Sequence, residues 1–342
     1  MSVTLTTRPD RPTWLRKIVR GLLVLILILT IAGFLYENIA EARDRRFNPM
    51  PGKLVSVDEA GHSLSMHIYC TGEGAPTVIL DSGLGDSFIS WHKAQPQIAA
   101  LTRVCSYDRA GIGYSSPSPR ARTSDVIADE LSALLHAADV QAPYVLVGHS
   151  MGGYDVRVFA NSHRNEVVGM VLVDASHPDQ EKRFPPELKD MEASWRREAL
   201  FLEFTMPLGI PRLFGLCDDA AAQRAAECNF HTVRESLAEM NAFPQSATEA
   251  AATNTLGDLP LAVLSHDPEK PSAELPADLA KTTNDAWEKM QEELAHLSTR
   301  GTQTIAKNSA HYIQLDRPDV VVDAIRNVVQ QARAESTVHP KP

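Results

Sequence analysis

Short apolar runs alternate with amphipathic segments along most of the chain. Mostly apolar runs lie at 77–81, 103–107, 144–147 and 167–174, and residues 124–138 place leucines on one face at helical spacing. Strands that are buried on both faces of a parallel sheet are apolar throughout. The pattern therefore predicts an α/β fold in which helices cover both faces of a largely parallel sheet.

This alternation stops between residues 176 and 258, where the sequence is helical and contains proline-rich loops. We predict that this segment forms a cap over the sheet. Strands are predicted again at 260–265 and 303–306. The core is thus predicted in two parts, residues 54–175 and 259–333, and residues 334–342 are predicted to be a disordered tail.

The N-terminus has the pattern of a membrane anchor. Residues 18–36 carry one basic side chain, Arg20, and no acidic one, and this length is close to that of a helix that crosses a bilayer. The basic segment 1–17 predicts a cytoplasmic N-terminus and an extracytoplasmic body on a single-pass anchor, with residues 37–53 as a linker. Secretion after cleavage of a signal peptide behind Ala42 is the alternative.

Composition narrows the candidate functions. The 342 residues have a formal net charge of −10, which gives no electrostatic reason to bind nucleic acid. Four cysteines fit an oxidising compartment. Of the three connectivities we predict Cys70–Cys105 and Cys217–Cys228, with free buried cysteines as the alternative. No histidine–cysteine cluster has metal-site spacing, so neither a metal nor a cofactor is predicted.

The candidate nucleophile is Ser150, in the sequence Gly-His-Ser-Met-Gly at 148–152. An apolar run precedes this motif, and a helical pattern follows it to about residue 162. A strand that turns sharply into a helix at G-x-S-x-G exposes the serine hydroxyl above the sheet edge, and the flanking positions have room only for small residues. An ordinary strand–turn–helix without chemistry is the alternative.

A serine hydroxyl needs a base that takes its proton. His311 is the candidate because it follows the predicted strand 303–306 and precedes the last helix, while a histidine in a surface loop is the alternative. His149 adjoins the serine, but adjacent side chains diverge, so we expect it to pack or to face substrate. The weaker candidates for the base are His177, His231 and His266.

A carboxylate must orient the imidazole and stabilise its cation. Asp174 ends the strand after the nucleophile helix, whereas Asp267 and Glu269 follow the next strand. The ends of parallel strands converge on one crevice, so the three compete, and we favour Asp174. The predicted oxyanion donors are the backbone N–H groups of Met151, which opens the nucleophile helix, and Leu84, which lies between glycines.

Four motifs together resemble the α/β-hydrolase superfamily, and in particular its helical-cap group of proline iminopeptidases, esterases and haloalkane dehalogenases. Residues 148–153 resemble the nucleophile elbow, 82–85 the oxyanion loop with serine in place of histidine, and 108–115 the D-R-x-G-x-G-x-S turn. Residues 308–311 take the place of the family's Gly-His. The resemblance covers residues 54–333 and implies an α/β-hydrolase fold, with a mostly parallel eight-stranded sheet and Ser, Asp and His acting in that order.

The chain departs from the family pattern after the predicted strand 260–265, which takes the place of the family's seventh strand. The family usually has G-x-x-D there, and residues 266–269 read His-Asp-Pro-Glu. Some haloalkane dehalogenases carry the acid at the end of the sixth strand, which is the position of Asp174, and Asp267 stays the alternative acid. Serine instead of aspartate at position 150 argues against dehalogenase and epoxide hydrolase chemistry, because those enzymes attack with a carboxylate.

These observations predict a membrane-anchored serine hydrolase that cleaves a small-molecule carboxylic ester, or an amide, through an acyl-enzyme. One alternative is an aminopeptidase in which cap carboxylates bind a substrate amine. Acyl transfer and a non-catalytic ligand receptor with the same fold are the others. The carboxylates considered for an amine are Glu192, Glu198 and Glu203.

Overall fold

One sheet of eight strands organises the computed structural model, which describes residues 13–217, 220–270 and 275–338. The strands are β1 (Lys53–Glu59), β2 (His62–Thr71), β3 (Thr77–Asp81), β4 (Val104–Tyr107), β5 (Tyr144–His149), β6 (Val167–Val173), β7 (Leu261–Ser265) and β8 (Gly301–Ile305). Their order is β1-β2-β4-β3-β5-β6-β7-β8. The β1–β2 and β2–β4 pairs are antiparallel and the others parallel. The predicted α/β-hydrolase fold is confirmed.

Helices connect the strands and form the insertion between β6 and β7. The α-helices of the described part are α1 (Thr13–Phe47), α2 (Gln95–Ile98), α3 (Ser124–Ala137), α4 (Gly152–Ser162), α5 (Gln180–Arg183), α6 (Glu187–Thr205), α7 (Ile210–Leu213), α8 (Ala221–Glu227), α9 (Phe230–Ala252), α10 (Ala277–Ala295), α11 (Ile313–Asp316) and α12 (Pro318–Val338). Short 3₁₀ turns lie at Phe88–Trp91, Arg164–Glu166 and Met206–Leu208. Helices α5 to α9 fall within residues 176–258, which we call the cap.

Apolar side chains pack on both faces of the sheet. One cluster joins Leu146 of β5 to Leu131 and Phe159 of α3 and α4. The other joins Val145 to Ile325 of α12. Because alternate residues of β5 enter opposite clusters, the strand has no face toward solvent, and this is why its sequence is a continuous apolar run.

Both predicted disulfides are present in the structure. Cys70 and Cys105 lie directly opposite each other in the antiparallel β2–β4 pair and are bonded. Cys217 and Cys228 are bonded within the cap, between the end of α7 and the end of α8. One bridge thus joins two strands of the sheet, and the other closes a loop of the cap.

Helix α1 continues beyond the predicted membrane segment, and most of the predicted linker at 37–53 is helical instead, through Phe47. The physical reason is that this part of the helix packs on the cap. Glu37 and Asp44 form ion pairs with Arg212, and all three side chains are almost completely buried. By length and composition α1 is able to cross a membrane.

The C-terminal helix also extends further than predicted. Helix α12 runs to Val338, past residue 334, where the disordered tail was predicted to start. Val328, Val329 and Ala332 on its buried face enter the apolar core, and this packing supports the final turns. The basic segment predicted at 1–17 lies mostly outside the described residues, as do residues 339–342.

The contact between α1 and the cap requires glycine at position 33. A Cβ atom there would lie 2.5 Å from the Leu208 carbonyl oxygen, whereas nothing lies within 4 Å of a Cβ at Gly21. We expect Gly33→Leu to cost about 1–3 kcal/mol through overpacking, measured by thermal unfolding of the full chain in detergent. Gly21→Leu gives the same gain in helix propensity without a clash and is the matched control. Equal stability of the two variants would contradict the packing described.

Candidate active site

Ser150 follows β5 directly and has a left-handed backbone conformation, with φ 52°. Its N–H donates to the carbonyl of Val173 at 3.2 Å, and α4 begins two residues later. A Cβ atom at Gly148 would lie 2.4 Å from the Gly152 carbonyl oxygen. The tight turn therefore excludes any side chain at 148, and non-glycine residues tolerate such a backbone only where the surrounding structure enforces it.

Asp174 and His311 meet at the carboxyl edge of the sheet. His311 Nδ1 donates to Asp174 Oδ2 at 2.6 Å. The alternative acid, Asp267, has other partners: its carboxylate accepts from the N–H of Asn308 at 2.9 Å and from Lys307 at 3.1 Å. The structure therefore brings Asp174 to the imidazole and uses Asp267 to hold the loop that precedes it.

Asp174 is completely buried and accepts from two further groups. His266 Nδ1 donates to Oδ2 at 2.9 Å, and Trp287 Nε1 donates to Oδ1 at 2.8 Å. Burial acts to raise the pKa of Asp174, but the charge of His266 and the hydrogen bonds from His266 and His311 outweigh it and hold the pKa well below its usual range. The carboxylate is therefore an anion at neutral pH.

Ser150 and His311 line two cavities together. One, of about 450 Å³, extends under the cap and is also lined by Leu84 and Trp195. The other, of about 570 Å³, reaches Asp174. Of the cap carboxylates considered for an amine, Glu192 lines the first cavity, whereas Glu198 and Glu203 are absent from both linings.

The predicted oxyanion donors lie on opposite sides of Ser150 in the sequence and line or adjoin the same cavity. Met151 precedes α4 as its N-cap, and Leu84 lies in the loop after β3. Within the described ranges neither N–H donates a hydrogen bond. The neighbouring Gly85 N–H is different, since it donates to Glu239 of the cap at 2.8 Å. Two backbone donors are thus available beside the serine.

A buried arginine fixes the loop that carries Leu84. Arg109 donates to Asp81 at 2.9 Å, to the Ser82 carbonyl at 2.7 Å and to Glu239 at 2.7 Å. Its side chain is 2% exposed and both carboxylates are fully buried. The D-R-x-G motif at 108–111 marks this arginine in the sequence, but it does not reveal the partners that the fold brings to it.

His149 is completely buried, and its Nε2 lies 3.1 Å from the backbone carbonyl oxygen of His311. Burial and then the neighbouring His311 lower the pKa of His149 to about 3, so it is neutral and donates this bond. Asp86 lines the cavity beside it, and burial, followed by the charge of Glu227, raises the pKa of Asp86 to about 7. His149 thus supports the His311 loop, and Asp86 had no signal in the sequence.

The weaker histidine candidates have different locations. His266 joins the site by its bond to Asp174, whereas the ring of His177 accepts from the N–H of Asp179 at 3.1 Å and His231 is exposed on α9. Trp287 of α10 is a further residue of the site. No local pattern marks it, because its indole reaches Asp174 across 113 positions of sequence.

Comparison with known proteins finds a matching family, relatives and solved structures with the same fold. Residues 78–324 match the model of the alpha/beta hydrolase family. The uncharacterized protein YqjL of Bacillus subtilis is 31% identical over 261 residues, which cover 75% of this chain and 85% of YqjL. An uncharacterized protein of Schizosaccharomyces pombe is 28% identical over 69% of this chain and 43% of its own length. A thermophilic esterase from Thermogutta terrifontis shares the fold, with a TM-score of 0.60 and 22% identity over 82% of this chain and 99% of that chain.

The ion pair of His266 with Asp174 is expected to make stability depend on pH. Burial lowers the pKa of His266, but the charge and hydrogen bond of Asp174 outweigh it and raise the pKa above its ordinary value. The stabilisation is therefore complete below the unfolded pKa of about 6.5 and is lost as the pH rises through the folded pKa. We expect His266→Gln to cost about 1.5–3 kcal/mol at pH 5.5 and less at pH 9, by urea unfolding.

The exposed His231 of α9 provides the control for this measurement. His231→Gln is expected to leave the free energy of unfolding nearly unchanged at both pH values. An equal loss for His266→Gln at pH 5.5 and at pH 9 would contradict a charged pair with Asp174.

Proposed function

Because this chain belongs to the alpha/beta hydrolase family, we propose that it is a serine hydrolase that cleaves carboxylic esters with apolar acyl groups. The observation that carries the proposal is the 2.6 Å hydrogen bond from His311 Nδ1 to buried Asp174, in a site whose cavities Ser150 and His311 line together. An imidazole held through Nδ1 has Nε2 free to act as the base.

Acylation begins when the Ser150 hydroxyl oxygen attacks the ester carbonyl carbon and His311 Nε2 takes the hydroxyl proton. The carbonyl oxygen becomes an anion and accepts hydrogen bonds from the N–H groups of Met151 and Leu84. Each such donor lowers the activation free energy by about 2.7–4 kcal/mol. His311 then gives its proton to the leaving alcohol oxygen as the C–O bond breaks, and the acyl group stays on Ser150.

Deacylation uses water in the place of the alcohol. His311 takes a proton from the water, the water oxygen attacks the acyl carbon, and the proton passes to Ser150 as the carboxylic acid leaves. Asp174 stays ionised through both halves because, despite burial, its two imidazole partners and their hydrogen bonds hold its pKa low. Its charge stabilises the imidazolium that forms each time.

The larger part of the cavity wall under the cap suits an apolar acyl group. Leu84, Trp195, Met240 and Phe243 line it. Burial of an acyl chain against such side chains is worth about 0.8 kcal/mol for each CH₂ group. We therefore propose that the enzyme prefers esters of medium or long acyl chains to acetates.

Hydrolysis of an amide that carries a free amine is a second candidate. Glu181 and Glu192 line the same cavity, and two carboxylates near an ammonium group would attract it. Alanine p-nitroanilide, assayed beside p-nitrophenyl butyrate, distinguishes the two substrate classes.

We further propose that α1 is an uncleaved signal anchor and that the body lies outside the cytoplasmic membrane. Three observations support this location: the apolar length of α1, the basic residues that precede its apolar stretch, and the two disulfides. Cytoplasmic segments next to membrane helices are enriched in basic residues, and disulfides persist in oxidising compartments.

Ser150→Ala is the direct test of the nucleophile. We expect kcat for p-nitrophenyl butyrate to fall by about 10⁶-fold, because the attacking oxygen is removed. A fluorophosphonate probe is expected to label the unaltered protein and to leave Ser150→Ala unlabelled. Ser162→Ala, at the other end of α4, is the control and retains both rate and label. Labelling of Ser150→Ala at the normal rate would defeat the proposal.

Asp174→Asn and Asp267→Asn form a matched pair that identifies the acid. Asparagine keeps the shape of the side chain but forces the imidazole toward the wrong tautomer, so we expect Asp174→Asn to lower kcat by about 10⁴-fold. Asp267→Asn is expected to leave kcat nearly unchanged, because Asp267 bonds the Asn308 backbone and the Lys307 side chain and not the imidazole. Steady-state ester hydrolysis measures both. A greater loss in Asp267→Asn would reverse the assignment.

A further inference from the structure

Helix α1 meets the cap inside its apolar stretch. A Cβ atom at Gly33 would lie 2.5 Å from the carbonyl oxygen of Leu208, and one at Gly209 would lie 2.6 Å from the ring of Tyr36. Position 33 lies about one helical turn before position 37, which is about 6 Å along the helix axis. Residues 208 and 209 therefore lie beside the last apolar turn of α1, which comes just before its first acidic residue, Glu37.

Ion pairs fix this arrangement immediately above the apolar stretch. Arg212 of α7 pairs with Glu37 at 3.2 Å and also with Asp44, while Arg224 of α8 pairs with Asp44 at 3.2 Å. The side chains of Arg212, Glu37 and Asp44 are 6–7% exposed. Pairs so well shielded from water hold the helix and the cap in one orientation. The part of the cap around α7 is therefore fixed at the level where the apolar helix ends.

Large apolar side chains are exposed in the cap segments that flank this contact in the sequence. Leu200, Phe201 and Phe204 lie on one face of the last turns of α6, since their spacing is i, i+1 and i+4. Leu213, Phe214 and Leu216 follow at the end of α7, and we call these six residues the cap patch. Phe204 is 80% exposed and Phe214 71%. Soluble surfaces seldom expose so many large apolar residues together, and such patches mark interaction sites.

We propose that the cap patch inserts into the outer leaflet of the bilayer that α1 spans, and that it admits lipophilic ester substrates from that leaflet to the active site. The occupant is lipid because the patch flanks, in the sequence, the cap residues Leu208, Gly209 and Arg212, which contact α1 where its apolar stretch ends. Exposed aromatic and leucine side chains on one face are the kind that an interfacial helix buries in lipid. The delivery of substrate rests on the proposed esterase function, whereas the insertion does not.

The patch and the active site share one helix. Trp195 and Arg196 of α6 line the cavity of Ser150, and Phe204 lies eight residues beyond Arg196, which is about 12 Å along the helix. An ester whose acyl chain is dissolved in the leaflet would thus have a short path along α6 to the serine. This geometry identifies the substrate class as long-chain esters that partition into membranes.

Depth measurements test the insertion. All four native cysteines are disulfide-bonded, so a cysteine introduced at Phe204 or Phe214 can be labelled selectively with a nitroxide in the full chain. In phosphatidylcholine vesicles we expect both labels to be more accessible to oxygen, and less accessible to a water-soluble nickel chelate, than a label at Gln330→Cys on α12. Accessibilities equal to those of the Gln330 label would overturn the insertion.

Substrate partitioning tests the delivery. We expect the double variant Phe204→Ser/Phe214→Ser to lose about tenfold or more of its rate on p-nitrophenyl palmitate in vesicles, and to keep its rate on water-soluble p-nitrophenyl butyrate. Leu54→Ser removes a 49% exposed leucine from β1. It is the control for the loss of an exposed apolar side chain outside the cap patch. An equal effect of the double variant on both esters would overturn the delivery. Failure of the unaltered protein to cleave either ester would instead overturn the proposed function, while the nitroxide labels would still decide the insertion.

Discussion

One buried guanidinium joins the cap, the sheet and the loop beside the serine. Arg109 bonds Asp81 at the end of β3, Glu239 of α9 and two backbone carbonyls of the loop. Loss of one partner from such a buried pair costs about 3–5 kcal/mol, because a charge is left without compensation. Asp155 lies 4.0 Å away, and burial followed by the charge of Asp81 raises its pKa. The raised pKa shifts Asp155 toward its neutral form and so lessens the negative charge around Arg109.

Asp174 is also a buried carboxylate, but its pKa is lowered and not raised. Two imidazoles and an indole N–H surround this carboxylate, so burial does not neutralise it. His266 thereby adds a second imidazole partner for Asp174 to a site in which one histidine is needed for proton transfer. The carboxylate gains a fixed position from His266 and Trp287, and His311 gains a fixed ring orientation from the carboxylate. Orientation of this kind is what makes an imidazole an efficient base.

The fold and most of the candidate site could be predicted from sequence, for identifiable reasons. Strands buried on both faces must be apolar, so β5 and β6 were visible as runs, and the turn at 148–152 allows only small flanking residues. The resemblance of four motifs then implied the sheet topology. No local pattern revealed which groups Arg109 bonds, or that Trp287 bonds Asp174. Each depends on partners that lie about 28 to 130 positions away in the sequence.

The sequence by itself determined most strands and helices, the exposed serine, and the candidate histidines and carboxylates that could assist it. Hydrophobic periodicity and the steric limits of a tight turn act between near neighbours, so a local pattern records them. Only the tertiary structure decided which strand-end carboxylate reaches His311, since Asp174 and Asp267 both follow strands and differ in the packing of the loops above them. It also decided that residues 37–47 are helical, because the ion pairs with Arg212 connect segments about 170 positions apart. Contacts of that range depend on how whole elements pack, and a local pattern does not encode them.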